Sequence, residues 1–243
     1  MGGVSDEVFT ARKAAAMEAL KFLVDVNSVG VGTGSTTALV IELAHKHGLL
    51  KGKALVPSSM DTAQILSDLG YLVVDSSTVD FLDVYIDSAD EVDLNGRMIK
   101  GGGAAHLMEK LLARHSKLRV FVVDEFKVVE KLGSKHLIPV EVIPKALKMV
   151  LNDMRRLGFN AVLRTSSGKR GPTVSDTLGV IVDVKPPEGM ALEEIYKTLK
   201  SITGVVEVGL FLDEADVIVV GTSRGDVRRI VRNSERIRGL EGW

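Results

Sequence analysis

The chain of 243 residues is long enough to bury a full core, and 45% apolar with 26% charged residues is ordinary for a soluble globular protein. With 31 basic against 32 acidic side chains, the net charge of -1 offers no global field for nucleic acid or an anionic membrane, so any anion must be captured locally. The lack of cysteine excludes disulfides, thiolate metal sites and cysteine nucleophiles. The opening MGGVSDEVF is not a basic stretch followed by an apolar one, and no apolar run is of membrane-spanning length, so a cytoplasmic protein is expected.

Apolar residues at helical spacing (Ala15, Ala19, Phe22, Leu23) predict a first helix over residues 6–24. SVGVG then reads as a short strand, with a helix opening near Ser35. KALVPSS is a strand, DTAQILSDLG a helix ended by Gly70, and YLVVDSS a further strand. LDVYIDSAD is strand-like, Asn95-Gly96 signals a hairpin, a helix runs from the following glycines to about His115, and RVFVVDE is the next strand. This alternation predicts an α/β fold, a Rossmann-like parallel sheet with helices on both faces. Near residue 133 the style changes. HLIPVEVIP, the helix PKALKMVLNDMRRLG, an antiparallel pair within AVLRTSSGKRGPTVSDTLGVIVDV, the helix ALEEIYKTLKSITG and the strand VVEVGLF suggest an inserted smaller α+β domain over 133–207. Residues 1–132 and 208–243, the latter returning through ADVIVVGTS, then make the larger catalytic domain.

Three stretches carry chemistry. GVGTGSTT (residues 30–37) leaves a strand and enters a helix, where free amides and the helix dipole favour an anion, and Thr33, Ser35 and Thr36 add hydroxyls. A dinucleotide fingerprint would need glycine at position 35 and an acid closing the second strand, and a Walker loop would need a lysine. A small phosphate monoester remains, against a turn that serves only packing.

DSADEVDLNG places Asp87 and Asp90 where a parallel strand ends, the usual ligand crevice, whereas Glu91 and Asp93 read as a solvated turn. A calcium loop starting at Glu91 fails, because its twelfth position is Gly102. Magnesium held by Asp87 and Asp90 stays open as an alternative at this point.

MIKGGGAAHLMEK sets Lys100 and the Gly101, Gly102 and Gly103 amides where an oxyanion can sit. Glu109 is placed about two turns into the helix on the flank of its apolar face. Without a lysine or arginine three or four positions away (its neighbours there are Ala105, His106, Leu112 and Ala113), that carboxyl is expected to have a raised pKa and to move protons. The alternative is a surface glutamate. His45, His47, His115 and His136 have no metal-binding spacing.

GVGTGSTT, DSADEVD, MIKGGGAAHLMEK, VVDEFKVVEKLG and IPVEVIP, in that order and spacing and with GVVEVGLF and ADVIVVGT after them, resemble ribose-5-phosphate isomerase type A over most of the chain. The resemblance implies interconversion of ribose 5-phosphate and ribulose 5-phosphate in the pentose phosphate pathway without metal or coenzyme. It also implies a homodimer or homotetramer and no nucleic-acid or membrane partner. It assigns Thr33, Gly34, Ser35 and Thr36, then Asp87, Ser88, Ala89 and Asp90, then Lys100 to Gly103, and Lys127, to substrate binding. Glu109 becomes the base, Lys100 the oxyanion stabiliser and Asp87 an aid to ring opening, a role exchangeable with that of Asp90, which orients hydroxyls. Ser88 departs from the usual glycine, His106 occupies a variable site, and the tail past about residue 234 has no counterpart. A sugar-phosphate sensor without catalysis is the competing class, disfavoured by Glu109 standing with Lys100 and its glycines.

Overall fold

The computed structural model describes residues 5–166 and 168–234. In chain order the first half runs α1 (Asp6–Ala19), β1 (Ser28–Val31), α2 (Ser35–Lys46), β2 (Ala54–Pro57), α3 (Met60–Asp68), β3 (Leu82–Asp87), β4 (Glu91–Asp93), β5 (Met98–Ile99), α4 (His106–Arg114), β6 (Ser116–Asp124) and β7 (Val128–Val129). The second half runs β8 (Ile138–Val142), α5 (Leu147–Arg156), β9 (Asn160–Leu163), β10 (Thr165–Ser166), β11 (Lys169–Pro172), β12 (Val180–Lys185), α6 (Leu192–Ser201), β13 (Val205–Val208), β14 (Leu210–Phe211), β15 (Val217–Gly221) and β16 (Val227–Val231).

Strands rich in valine and isoleucine build a six-stranded sheet in the order β16-β15-β6-β3-β1-β2, parallel except for β16. Because side chains alternate across a strand, Val120 and Val122 of β6 face one core with Val29, Val31, Val84 and Ile86, whereas Phe121 and Val123 face another. The first core is closed by α1, α2 and α3, through Ala15, Ala19, Val40, Ile41 and Leu66. On the opposite face, α4 supplies Leu112 and Ala113. It shares that cover with a small second sheet, β14-β5-β4-β7, whose Val92, Met98 and Phe211 pack inward. Each such large apolar side chain contributes about 1.5–3 kcal/mol by leaving water. The fold is thus the expected α/β arrangement with helices on both faces.

A four-stranded antiparallel sheet, β13-β8-β12-β9, carries α5 and α6 and has its own core, with Val140, Val182, Val150, Met154, Ile195 and Leu199. Ile99, Val129, Leu132 and Leu210, from outside residues 133–207, join that core.

Several local expectations change. YLVVDSS forms no strand, only a single bridge from Val73 to Leu55, because this segment runs along the sheet edge with Leu72 exposed. VVEVGLF is two strands, since the chain leaves β13 in one sheet and enters β14 in another at Gly209. The antiparallel edge strand β16, rich in arginine, had no apolar alternation to signal it. The expected Asn95-Gly96 turn does join β4 to β5, but its acids are not solvated. Glu91 is buried and accepts the amides of Gly133, Lys135 and His136, and Asp93 accepts those of Asn95 and Arg97. The tail past residue 234 lies outside the described residues.

Candidate active site

The parallel strands β1 and β3 are neighbours, so the loops leaving their carboxyl ends lie side by side. The first loop closely approaches the second. A Cβ on Gly32 would stand 1.8 Å from Cγ of Asp87, so only glycine lets this carboxylate occupy its place. Gly34, at φ +109°, starts α2 without a capping side chain, leaving the first-turn amides for a ligand.

Asp87 is enclosed. Oδ1 accepts the amides of Thr33 (3.1 Å) and Ser88 (2.7 Å) and the hydroxyl of Thr37 (3.2 Å). Oδ2 accepts the Tyr85 hydroxyl at 2.5 Å and lies 2.8 Å from Nζ of Lys100. Lys100 follows β5 and is itself buried, donating to the Ser88 carbonyl at 2.6 Å. Its ammonium also lies 3.0 Å from Oε2 of Glu109, an oxygen that has no other partner among the described residues. One lysine therefore stands between two buried carboxylates, of which Asp87 has the more hydrogen-bond donors.

Glu109 lies in the first turn of α4, not two turns in, because the glycines form a turn, closed by the Ala104 amide on the Gly101 carbonyl, before the helix opens at His106. The cation that its helix lacks arrives from β5. Burial raises the carboxyl of Glu109 from its ordinary 4.5 to about 8, assisted by the charge of Asp87 and only partly opposed by Lys100. Burial opposes the charge on Lys100, yet Asp87 and Glu109 outweigh it and hold the ammonium above its ordinary range. The helix is fastened from behind by Lys110, buried with Nζ on Glu207 (2.9 Å) and on the carbonyls of Val208 and Leu210.

These groups floor a cavity of about 180 Å³, lined by Thr33 to Thr36, Ser88 to Asp90, Lys100 to Gly103, Glu109 and Lys127. Every residue expected from sequence lines it except Asp87, whose carboxylate is held by the residues around it. Asp90 accepts the Gly102 amide at 2.8 Å, and Lys127 donates to the Ser88 hydroxyl at 3.1 Å. Burial lowers the Lys127 ammonium, with Arg12 and Lys100 adding to the effect. The hydroxyls differ in availability. Thr33 is engaged with Ser58 and Ser59, Ser35 accepts from Arg12 at 3.1 Å, and Thr36 Oγ1 is buried with no partner among the described residues. The arrangement suits a small molecule with an anionic end at the α2 start and a carbon skeleton passing Glu109.

Residues 54–225 match the family described as ribose 5-phosphate isomerase A (phosphoriboisomerase A). The chain belongs to this family. A ribose-5-phosphate isomerase A from Aeropyrum pernix is 45% identical over 82% of this chain and 84% of its own. Another from Thermococcus kodakarensis is 41% identical over 91% and 97%. A solved D-ribose-5-phosphate isomerase in complex with phospho-erythronic acid superposes with a TM-score of 0.85 at 38% identity, covering 91% of this chain and 97% of that one. As a member of the ribose 5-phosphate isomerase A family, the chain is an isomerase.

In this member of the ribose 5-phosphate isomerase A family, two site residues escaped the sequence reading. Tyr85 precedes Asp87 by two on the same strand face, a signal that was present. Arg12 comes from α1 and joins Ser35 to Asp124 (Nε to Oδ2 at 2.9 Å), a long-range contact that no local pattern announces. His106 is buried away from the cavity, with Nε2 3.3 Å from the Glu207 carbonyl, and burial lowers it to about 4. Among the described residues no helix is long and apolar enough to cross a membrane, and no cluster of three or more His, Asp or Glu side chains could hold a metal ion.

Proposed function

We propose that this isomerase interconverts D-ribose 5-phosphate and D-ribulose 5-phosphate through a cis-enediolate, with Glu109 as the general base. The observation that carries the reading is a buried carboxyl raised to about 8, 3.0 Å from a lysine ammonium, on the floor of a cavity whose mouth suits a phosphate. A base of that strength at neutral pH is well matched to a proton on carbon.

The phosphate docks at the uncapped start of α2, with Ser35, Thr36, Arg12 and Lys127 as donors, placing carbons 1 and 2 of the opened sugar beside Glu109. The carboxylate takes the proton from carbon 2. The C–H electron pair becomes the carbon–carbon double bond, and the carbonyl pair moves onto oxygen 1. Negative charge thereby leaves Glu109 and appears on the substrate, while Lys100 stays beside it and the Gly103 amide faces the new oxyanion. A proton passes from oxygen 2 to oxygen 1, and Glu109 returns its own to carbon 1, giving the ketose. Asp90, on the cavity wall, orients hydroxyls and serves the oxygen-to-oxygen transfer, whereas the enclosed Asp87 holds Lys100 and the first loop. Phospho-erythronic acid, bound by the solved relative, has a planar carboxylate that mimics two enediolate oxygens, in keeping with this path.

The same reading has the chain act in the cytoplasm as a homodimer or homotetramer, with residues 133–207 as the smaller unit; light scattering of the purified protein tests the assembly. Ketose formation from ribose 5-phosphate tests the activity. Glu109→Gln should lose about 10²–10⁴-fold in kcat with KM little changed. Turnover near the wild-type rate would remove Glu109 from the chemistry.

A further inference from the structure

Three consecutive glycines cannot hold their own peptide planes, since each lacks the Cβ that restricts a backbone. In this chain the planes are held from outside by a residue that does not line the cavity. Arg164 follows β9 in the antiparallel sheet, and its Nε and Nη2 grip Asp183 of β12 at 2.8 and 2.5 Å. Its Nη1 donates to the carbonyls of Gly101 (2.7 Å) and Gly102 (3.1 Å).

A trans peptide unit is planar, with its C=O and N–H pointing in opposite directions. The Gly101 carbonyl and the Gly102 amide belong to one unit, which is fixed at both ends, by Arg164 and by Asp90 Oδ2 at 2.8 Å. The next unit is fixed through the Gly102 carbonyl, which turns the Gly103 amide away from Arg164 and toward the cavity that Gly103 lines. The guanidinium fork suits this task, with one edge for a carboxylate and a remaining nitrogen for two carbonyls. We propose that Arg164, anchored by Asp183, is a positioning residue for the isomerisation: it sets the glycine-loop peptide planes so that the Gly103 amide turns toward the developing oxyanion while the Gly102 amide stays on Asp90. This rests on the reading that the loop faces the reacting oxygens, and it gives the antiparallel sheet a part in the reaction without a side chain in the cavity.

The test compares Arg164→Met, Arg164→Lys, Asp183→Asn and the Arg164→Met/Asp183→Asn double variant with the wild type. It reads kcat and KM for ribose 5-phosphate, inhibition by phospho-erythronic acid and by inorganic phosphate, and thermal unfolding. Arg164→Met should lower kcat on the order of 10²-fold, the scale of a small misplacement of catalytic groups, with KM changed by less than about threefold. Phospho-erythronic acid should bind more weakly in proportion to the loss in kcat/KM, while inorganic phosphate binds as before. Lysine should restore little, because it cannot grip Asp183 and both carbonyls together. Asp183→Asn should lose kcat in the same sense, and the double variant should be no worse than Arg164→Met alone. Should Arg164→Met fail to fold, Asp183→Asn, which preserves the volume, supplies the same comparison. A folded variant with kcat within about threefold of wild type, an equal weakening of inorganic phosphate, or additive losses would overturn the proposal. Lys100→Met and Glu109→Gln separate the two failures. If they abolish turnover and Arg164→Met does not, only the positioning role falls; if they leave turnover intact, the catalytic reading falls first.

Discussion

Glu109→Gln should make the protein more stable at alkaline pH while removing its activity. The carboxyl rises from 4.5 to about 8 on folding, which corresponds to roughly 4–5 kcal/mol against the charged form at about 1.36 kcal/mol per pH unit. Between those values the folded protein holds a proton that the unfolded chain has released. Stability present below pH 4.5 is therefore lost progressively as pH rises to about 8, and stays lost above it. Glutamine has no such ionisation and resembles the neutral acid in volume and polarity. It does deprive Lys100 of one counter-charge, which offsets part of the gain. The two proteins should be nearly equal at pH 5, and the variant should lead by about 2–4 kcal/mol at pH 8.5. Urea unfolding at fixed protein concentration, stepped through pH 5 to 9, measures this directly. A gap that does not change with pH, or one that favours wild type as pH rises, would refute the placement of Glu109 in a site hostile to its charge.

The same carboxyl should govern the pH–rate profile: kcat/KM falls about tenfold per unit as pH drops below about 8, and an inflection near 4.5 would show a solvated glutamate instead. Gly32→Ala forces its Cβ to within 1.8 Å of Asp87 Cγ, so a destabilisation of at least about 1–3 kcal/mol with loss of turnover is expected; a normal melting temperature and normal activity would contradict the close approach. Ser35→Ala with Thr36→Ala should weaken inhibition by inorganic phosphate by about 1.5–3 kcal/mol per lost charge-assisted bond; unchanged inhibition of the folded variant would move the phosphate elsewhere. Lys110→Met should cost about 1–3 kcal/mol by taking the donor from the Val208 and Leu210 carbonyls and the nearer cation from Glu207, which keeps Lys200 at 3.5 Å, read as a fall in the urea midpoint; an unchanged midpoint would make this buried pair dispensable.

Much of the site was legible in the sequence because its signals are local. A glycine-rich turn between strand and helix, acids where a parallel strand ends, and a lysine before three glycines each declare themselves within ten residues. The alternation of strands and helices likewise announced the α/β sheet, and the Asn95-Gly96 turn its hairpin. What tertiary structure decided was the partners. Glu91 and Asp93 looked like a solvated turn, yet folding encloses them among amides from distant loops and from their own hairpin. Asp87 and Asp90 looked interchangeable until one was enclosed by five donors and the other left on the cavity wall. Arg12 and Arg164 gave no signal at all, because each meets the site across a long chain separation from another element. A residue's chemical type and its backbone preference are properties of short stretches of chain. Its protonation, its burial and the direction in which it donates depend on charges and dipoles that only folding brings within a few ångströms of it.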